Sequence, residues 1–425
     1  MAEFSAAVHQ NEFLGAGATD VHAIVSITCT GAGRAGQSAG GDAGEIIVID
    51  TSGSMEAAGV RAAQEAAATA LDQILDGVWF AVVAGNHQAR LAYPDGYTAA
   101  MVQMSPATRF EAKRSLGRLY ADGGTAMGTW LLAAAQLFDT VPSLTQKHVI
   151  LLTDGENQHE TPEQLTEAIE RVRGRFQADC RGLGAAWQVE EVRRIAEALL
   201  GTVDLIPRRE DMAAEFERLM RASMARGVAD ATLRVWAPQG SEVLFVRQVA
   251  PRLEDLTARR TTINPLTGGY PTGSWADETR EYHVAVRLPA KALGAEQLAA
   301  RVQLAVGDDV VAQGLVKAKW SGDDSLTARI SPEVAHYTGQ TELAKAIQEG
   351  LAAKSIGDDV TATTRLGRAV QLAAETGNDD ATDRLSRVVD IDDAGTGRVR
   401  LKQGIDRLDE MALDTASTKT TRVRR

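Results

Sequence analysis

Between Glu45 and Arg226 the chain alternates short apolar runs with longer stretches of helical periodicity, and this alternation restricts the fold more than any other feature. Glu45–Asp50 (EIIVID), Val78–Ala84, Lys147–Thr153 (KHVILLT) and Thr202–Ile206 have the length and apolar character of buried strands. A strand apolar on both faces must be covered on both faces, and parallel sheets achieve this with helices above and below. The intervening stretches supply those helices: Ala57–Leu75, Arg109–Leu119, Met127–Phe138, Glu163–Phe176, Gln188–Leu200 and Asp211–Ala225. Ser105-Pro106 puts a capping hydroxyl ahead of a proline at the first helical position, and Thr161-Pro162-Glu163-Gln164 adds a capping-box Gln. The expected fold class is α/β, a doubly wound parallel sheet over residues 45–227.

The flanks follow a different period. After Gly227, the segments Ala231–Ala237, Glu242–Val249, Glu281–Leu288, Ala300–Val306 and Val310–Trp320 alternate apolar and polar residues. A period of two reads as antiparallel strands with one buried face, so residues 228–330 are expected to form a small β-sandwich. Val21–Cys29 has the same alternation and is followed by the Gly/Ala/Ser-rich linker Gly31–Gly44. Residues 1–44 are therefore either a sandwich strand cut off from its partners by an inserted α/β domain, or an edge strand of the α/β sheet. The long linker favours insertion, since an edge hairpin needs only a short turn. Leu343–Lys354, Val360–Glu375, Ala381–Val389 and Val399–Leu413 suggest a helical bundle over 331–413, and 414–425 is polar enough to be a flexible tail.

The formal net charge of −12 disfavours nucleic acid and anionic membrane as main partners, because both need clustered Lys and Arg. The start, MAEFSAAVHQNEFL, places no basic residue before an apolar run and does not read as a secretory signal. No window approaches the roughly 18 apolar residues that cross a bilayer. Cys29 and Cys180 each sit in an apolar strand-like segment, which fits two thiols in a reducing cytoplasm better than a disulfide.

Three segments carry chemistry together. Asp50-Thr51-Ser52-Gly53-Ser54 follows the EIIVI strand, Gly123-Gly124-Thr125 precedes a helix, and Asp154-Gly155 follows the VILLT strand. Carboxyl ends of parallel strands share one edge with helix N-termini, so these segments converge although they lie far apart in the chain. Two carboxylates and three hydroxyls form an all-oxygen set suited to a hard octahedral cation, Mg²⁺ or Mn²⁺, with a position left open for water or an incoming carboxylate. In this order and on these elements, the residues resemble the metal-ion-dependent adhesion site of the von Willebrand factor A family, Asp-x-Ser-x-Ser followed by a Thr and then an Asp. The resemblance spans about Glu45 to Arg226. It implies that Asp50, Ser52, Ser54, Thr125 and Asp154 are the metal ligands, Asp154 often through water, and that a partner protein's Asp or Glu completes the shell. The layout also looks like stand-alone bacterial members that accompany Ser/Thr kinases and forkhead-associated proteins.

Other readings stand beside this one. Asp50 and its neighbours suit a turn or helix cap without an ion, and Thr125 suits a cap for the Met127 helix. The ion can also be purely structural, tying loops of a scaffold. An Asp closing the first parallel strand suits a Mg²⁺-dependent phosphohydrolase too, but those enzymes carry Asp-x-Asp with the second Asp as general acid. Ser52 stands there instead, which argues against an enzyme. His148 reads as a packed or edge histidine and His159 as exposed or rim-lining; Trp130 and Trp187 read as packing residues. The hydroxyls of the tail (Thr415, Thr418, Thr420, Thr421) beside basic residues give a phosphoacceptor for a phosphothreonine reader as the alternative to plain disorder.

Overall fold

The computed structural model describes residues 2–36, 42–95 and 100–423. The chain opens with strands β1 (Glu3–Gln10), β2 (Phe13–Leu14) and β3 (Asp20–Thr30) before entering the alternating region. There β4 (Asp42–Asp50), β5 (Trp79–Gly85), β6 (Ala89–Tyr93), β7 (Val102–Gln103), β8 (Leu144–Thr153), β9 (Gln177–Leu183) and β10 (Val203–Ile206) alternate with helices. The helices are α1 (Glu56–Gln73), α2 (Pro106–Leu116), α3 (Met127–Asp139), α4 (Pro162–Val172), α5 (Val189–Ala198) and α6 (Met212–Met224). The sheet order is β10-β9-β8-β4-β5-β6, with β7 also paired to β5. β10, β9, β8, β4 and β5 run parallel. The expected purely parallel sheet is corrected at one edge, where β6 and β7 lie antiparallel to β5. Only Asn86-His87-Gln88 separates β5 from β6, too short a link for a parallel crossover.

Burial explains the elements. Gly59, Val60, Ala63, Ala66, Ala67, Ala70 and Leu71 form the buried stripe of α1 at helical spacing. That stripe shares a core with Phe216, Leu219 and Met220 of α6. Each fully buried large apolar side chain contributes about 1.5–3 kcal/mol. Ser105 and Thr161 cap α2 and α4 in capping boxes with proline in the first turn.

The compact unit containing this sheet comprises residues 32–229 with 273–276; residues 1–31, 230–272 and 277–425 form the other. Apart from residues 228–229 and 273–275, which fall in the first unit, the second holds β11 (Val228–Trp236), β12 (Glu242–Ala250), β13 (Glu254–Asp255), β14 (Thr261–Asn264), β15 (Thr267–Trp275), β16 (Glu278–Arg287), β17 (Glu296–Val306) and β18 (Asp309–Trp320). Their sheets have the orders β1-β3-β16-β12-β13 and β14-β15-β11-β17-β18-β2. Val21–Cys29 lies inside β3, paired with β1 and with β16 from Glu278↔Cys29 to Val286↔Val21, and not with the α/β sheet. A Cβ on Gly314 of β18 would come 2.7 Å from Val8 and 3.4 Å from Val25, so side chains of the two sheets meet. The β14–β15 pair escapes the alternation pattern because its residues (TTIN, TGGYPTGSW) mix glycine and proline into a strand. Cys29 and Cys180 are both free and buried, and burial raises both thiols, Cys29 to about 11.

The C-terminal part contains α7 (Asp324–Thr327), α8 (Pro332–Ser355), α9 (Asp359–Thr376), α10 (Asp379–Val388), strands β19 (Val389–Asp393) and β20 (Arg398–Leu401), and α11 (Arg407–Ala416). The helix expected over Val399–Leu413 is corrected: its first residues belong to β20, and helix begins only at Arg407. The turn Gly395-Thr396-Gly397 closes a hairpin, with Gly397 at φ +68°, and cross-strand pairs Arg400–Asp392 and Lys402–Asp390 line its outer face. The flexible tail expected over 414–425 is also corrected. Asp414–Ala416 finish α11, with Thr415 buried and its hydroxyl donating to the Met411 carbonyl. Beyond it, Leu253 N donates to Thr418 O (2.8 Å), Thr420 Oγ1 donates to Val249 O (2.7 Å), and Val423 packs on the Ile24–Val249–Tyr337 cluster. Backbone bonding and an apolar anchor outweigh the polar composition. Arg424 and Arg425 lie outside the described residues.

Inside the α/β sheet, a buried charge network joins adjacent strands. His148 Nδ1 lies 2.7 Å from Glu45 Oε2, and His148 Nε2 lies 3.0 Å from Asp179 Oδ2. Ser223 of α6 donates to Glu45 (2.5 Å), and Arg226 reaches Asp179 (3.4 Å). Burial alone would lower His148, but the flanking carboxylates raise it to about 9. Burial works to raise Asp179, yet the His148 hydrogen bond and the Arg226 charge hold it well below the usual carboxylate range. An imidazole that titrates higher folded than its free value of 6.5 contributes stability that is complete below that value and lost as pH rises through about 9. Asp179 acts in the opposite sense, contributing above its free value of 3.8 and losing that contribution as pH falls through its depressed folded value. His148→Gln is therefore expected to cost about 3–5 kcal/mol near pH 6, with the gap narrowing as pH rises from 6.5 through about 9. Urea denaturation of both proteins across that range checks this; a gap independent of pH contradicts the ion pairing.

Candidate metal centre

β4 lies between β5 and β8, so the loops leaving Asp50, Gly85 and Thr153 emerge side by side at one edge of the sheet. Asp50 is fully buried and held at both oxygens. Oδ1 accepts the Ser52 backbone N–H (2.7 Å), the turn that an Asp side chain makes with a residue two positions on. Oδ2 accepts the Thr153 hydroxyl (2.7 Å), which comes from the last residue of β8. Ser52 Oγ and Ser54 Oγ are 2.9 Å apart, and Ser54 Oγ donates to Asp154 Oδ1 (2.6 Å). The loop is fixed from outside as well: Thr51 N donates to Gly85 O (2.7 Å), Gly53 N to Gly123 O (2.8 Å) and Asp122 N to Thr51 O (2.8 Å).

Thr125 enters through Gly155. A Cβ on Gly155 would stand 2.9 Å from Ser54 Oγ and 3.4 Å from Thr125 Oγ1, so both hydroxyls face a space that only glycine leaves clear. Asp50, Ser52, Ser54, Thr125 and Asp154 are thus brought together, the first, second, third and fifth of them through a continuous chain of hydrogen bonds. Thr125 does not cap α3: the N-cap is Ala126, and the Met127 and Gly128 N–H groups donate to Asn157 Oδ1 (2.9 Å) and Glu160 Oε1 (2.7 Å). Those two supports were not read from the sequence. They lie in the polar loop after β8, where nothing in spacing singles them out.

The electrostatics are unfavourable as they stand. Burial raises Asp50 despite its hydrogen bonds. Burial also pushes Asp154 up to about 6 against the Ser54 hydrogen bond, and the Asp50 charge adds to the rise. Among the described residues neither carboxylate forms a salt bridge; Arg209 acts on Asp154 only from a distance. A divalent cation would remove this like-charge burden. The donor set fits such an ion, and no group of three His, Cys, Asp or Glu gathers among the described residues to suggest a thiolate or imidazole cage.

Of the remaining sequence readings, His148 lies in the buried network and not here. His159 is exposed at the rim with its ring against Gly124 and its backbone N–H donating to Thr125 O (2.9 Å). Trp130 and Trp187 are fully buried. Trp130 donates from Nε1 to Asn86 O (2.7 Å), the same carbonyl that accepts Ala126 N–H. The sequence reading missed His87, although its place just past the end of β5 puts it on the same rim.

Family models match residues 46–205 as a von Willebrand factor type A domain and 371–417 as a von Willebrand factor type A C-terminal domain. The chain is 46% identical to a solved von Willebrand factor type A protein from Catenulispora acidiphila, covering 99% of this chain and 97% of that one, with TM-score 0.93. The ArnB paralog VWA2 from Sulfolobus acidocaldarius shares the fold over 98% of both chains at 14% identity and TM-score 0.57. A Synechocystis protein described as uncharacterized is 25% identical over 222 residues, and the match spans about half of its length and half of this chain.

A Cβ at Gly85 would come within 2.4 Å of the Trp130 ring. Gly85→Ala should therefore displace the Trp130–Asn86–Ala126 support and cost about 1–3 kcal/mol. Urea denaturation reads this, and unchanged stability contradicts it.

Proposed function

The chain belongs to the von Willebrand factor type A family, and from that premise we propose that it is a divalent-metal-dependent protein-interaction module. Domains of this family are commonly metal-dependent interaction modules rather than enzymes, and they often bind a divalent metal at the adhesion site. The observation that carries the reading is the pair of buried carboxylates, Asp50 and Asp154, bridged by serine hydroxyls and without a salt-bridging cation among the described residues. In the proposed state Mg²⁺ or Mn²⁺ is held by Asp50, Ser52, Ser54 and Thr125, with Asp154 acting through water. The bound ion supplies an open coordination position for an Asp or Glu of a protein partner. Ser52, where a phosphohydrolase needs an acid, supports binding over catalysis.

The rest of the chain frames this module. We read residues 228–330 with the N-terminal strand as a β-sandwich interrupted by the A domain, and 331–413 as a helical bundle carrying a small hairpin. Free buried cysteines support a cytoplasmic setting, and no helix among the described residues is long and apolar enough to cross a membrane. An adaptor role in bacterial Ser/Thr kinase and forkhead-associated signalling rests on the general layout of the chain. The docking of residues 417–423 weighs against a freely accessible phosphothreonine tail.

Thermal unfolding with and without metal tests the reading. A saturating divalent ion should stabilise the wild type by about 2.7 kcal/mol at a hundredfold excess over its dissociation constant. Asp154→Asn should melt no lower than wild type in chelator, since it removes one of two like charges, and should gain far less from metal. Gly155→Ala should likewise blunt the gain by filling the cradle. Wild-type melting indifferent to Mg²⁺, Mn²⁺ and chelator contradicts the proposal.

A further inference from the structure

His87 and His159 lie outside the oxygen set and form a second pair on the same rim. Both are exposed, and among the described residues neither ring takes a hydrogen bond or an ion pair. They come from different loops, one after β5 and one between β8 and α4. Bare backbone brings them together: a Cβ on Gly123 would stand 2.3 Å from His87 Nδ1, and one on Gly124 would stand 1.8 Å from His159 Nδ1. The loops that carry them are pinned by Asn86 Nδ2 donating to Asp122 O (3.0 Å), Ala126 N to Asn86 O (3.1 Å) and His159 N to Thr125 O (2.9 Å). Ring centres lie 6.1 Å apart with the planes tilted by 44°.

An ion about 2.1 Å from one nitrogen of each of two imidazoles, at a tetrahedral angle, sets the ring centres roughly 5 Å apart, so a side-chain rotation of either exposed ring that closes the pair by about 1 Å completes the bite. We propose that His87 and His159 form a second metal site, selective for a borderline transition ion such as Zn²⁺ and separate from the hard-ion site at Asp50. Neutral imidazole suits zinc, copper and nickel, whereas carboxylate and hydroxyl oxygens suit magnesium and manganese. Among the described residues no third His, Cys, Asp or Glu joins the pair. Water or a donor from another molecule therefore fills the remaining positions, and the ion stays exchangeable. The site uses none of the five oxygen ligands, so it stands or falls apart from the interaction reading.

Calorimetric titration of the full chain with Zn²⁺ in excess Mg²⁺ tests this. Zinc should bind at one site per chain beyond any displaced by Mg²⁺. His87→Ala and His159→Ala, both at exposed positions, should each weaken it by about tenfold or more. Gly124→Ala, which crowds the His159 ring, should weaken it in the same direction, and Asp50→Ala should leave it unchanged. Zinc affinity retained in the His87→Ala/His159→Ala double variant, or no zinc bound once Mg²⁺ is present, overturns the proposal.

Discussion

Two carboxylates confined in one hydroxyl-bridged cluster, Asp50 and Asp154, set the terms for everything at the rim of the α/β sheet. Burial raises the proton affinity of both, and the charge of Asp50 adds to the rise of Asp154 to about 6. The surroundings are built to hold the arrangement in spite of it. The Ser52 amide and the Thr153 hydroxyl bind Asp50 from two sides, Gly155 keeps the space beside Ser54 and Thr125 open, and Gly85 seats the tryptophan that supports the Thr125 loop. Together they make sense as a pre-formed site whose charge is balanced from outside.

The same strand answers the same problem differently at its other end. Glu45 lies five residues before Asp50 on β4, about 16 Å away at the rise of an extended chain. There a buried carboxylate pair, Glu45 and Asp179, is neutralised internally by His148, with Arg226 adding its charge on Asp179. A buried network with its own cation serves the fold, and a buried pair without one is available to an added ion. This contrast within one sheet separates the structural carboxylates from the candidate functional ones more sharply than burial alone, since both sets are buried.

The candidate metal centre is legible because its residues sit at ends of strongly patterned elements. EIIVI and VILLT announce buried parallel strands, so their pattern alone assigns Asp50 and Asp154 to one edge. Thr125 followed from its place ahead of a helix. Where pattern weakens, the reading weakens with it. β15 hides a strand behind Gly268, Gly269, Pro271 and Gly273, and Val399–Leu401 pairs as a strand because the Gly397 turn folds it back on Val389 and Ile391. The segment after Ala416 is polar by composition yet docks, since its bonds run to backbone groups at Val249, Pro251 and Leu253 that composition cannot reveal. His148 illustrates the same limit: its carboxylate partners come from neighbouring strands, a matter of register that no local window contains.

Everything proposed for this rim depends on where a divalent ion binds. The most direct measurement is anomalous diffraction from a crystal of the full chain soaked in Mn²⁺. A peak bounded by Asp50, Ser52, Ser54 and Thr125 that vanishes in Asp50→Ala is the expected result. Ordered Mn²⁺ elsewhere with none at this cluster would contradict it.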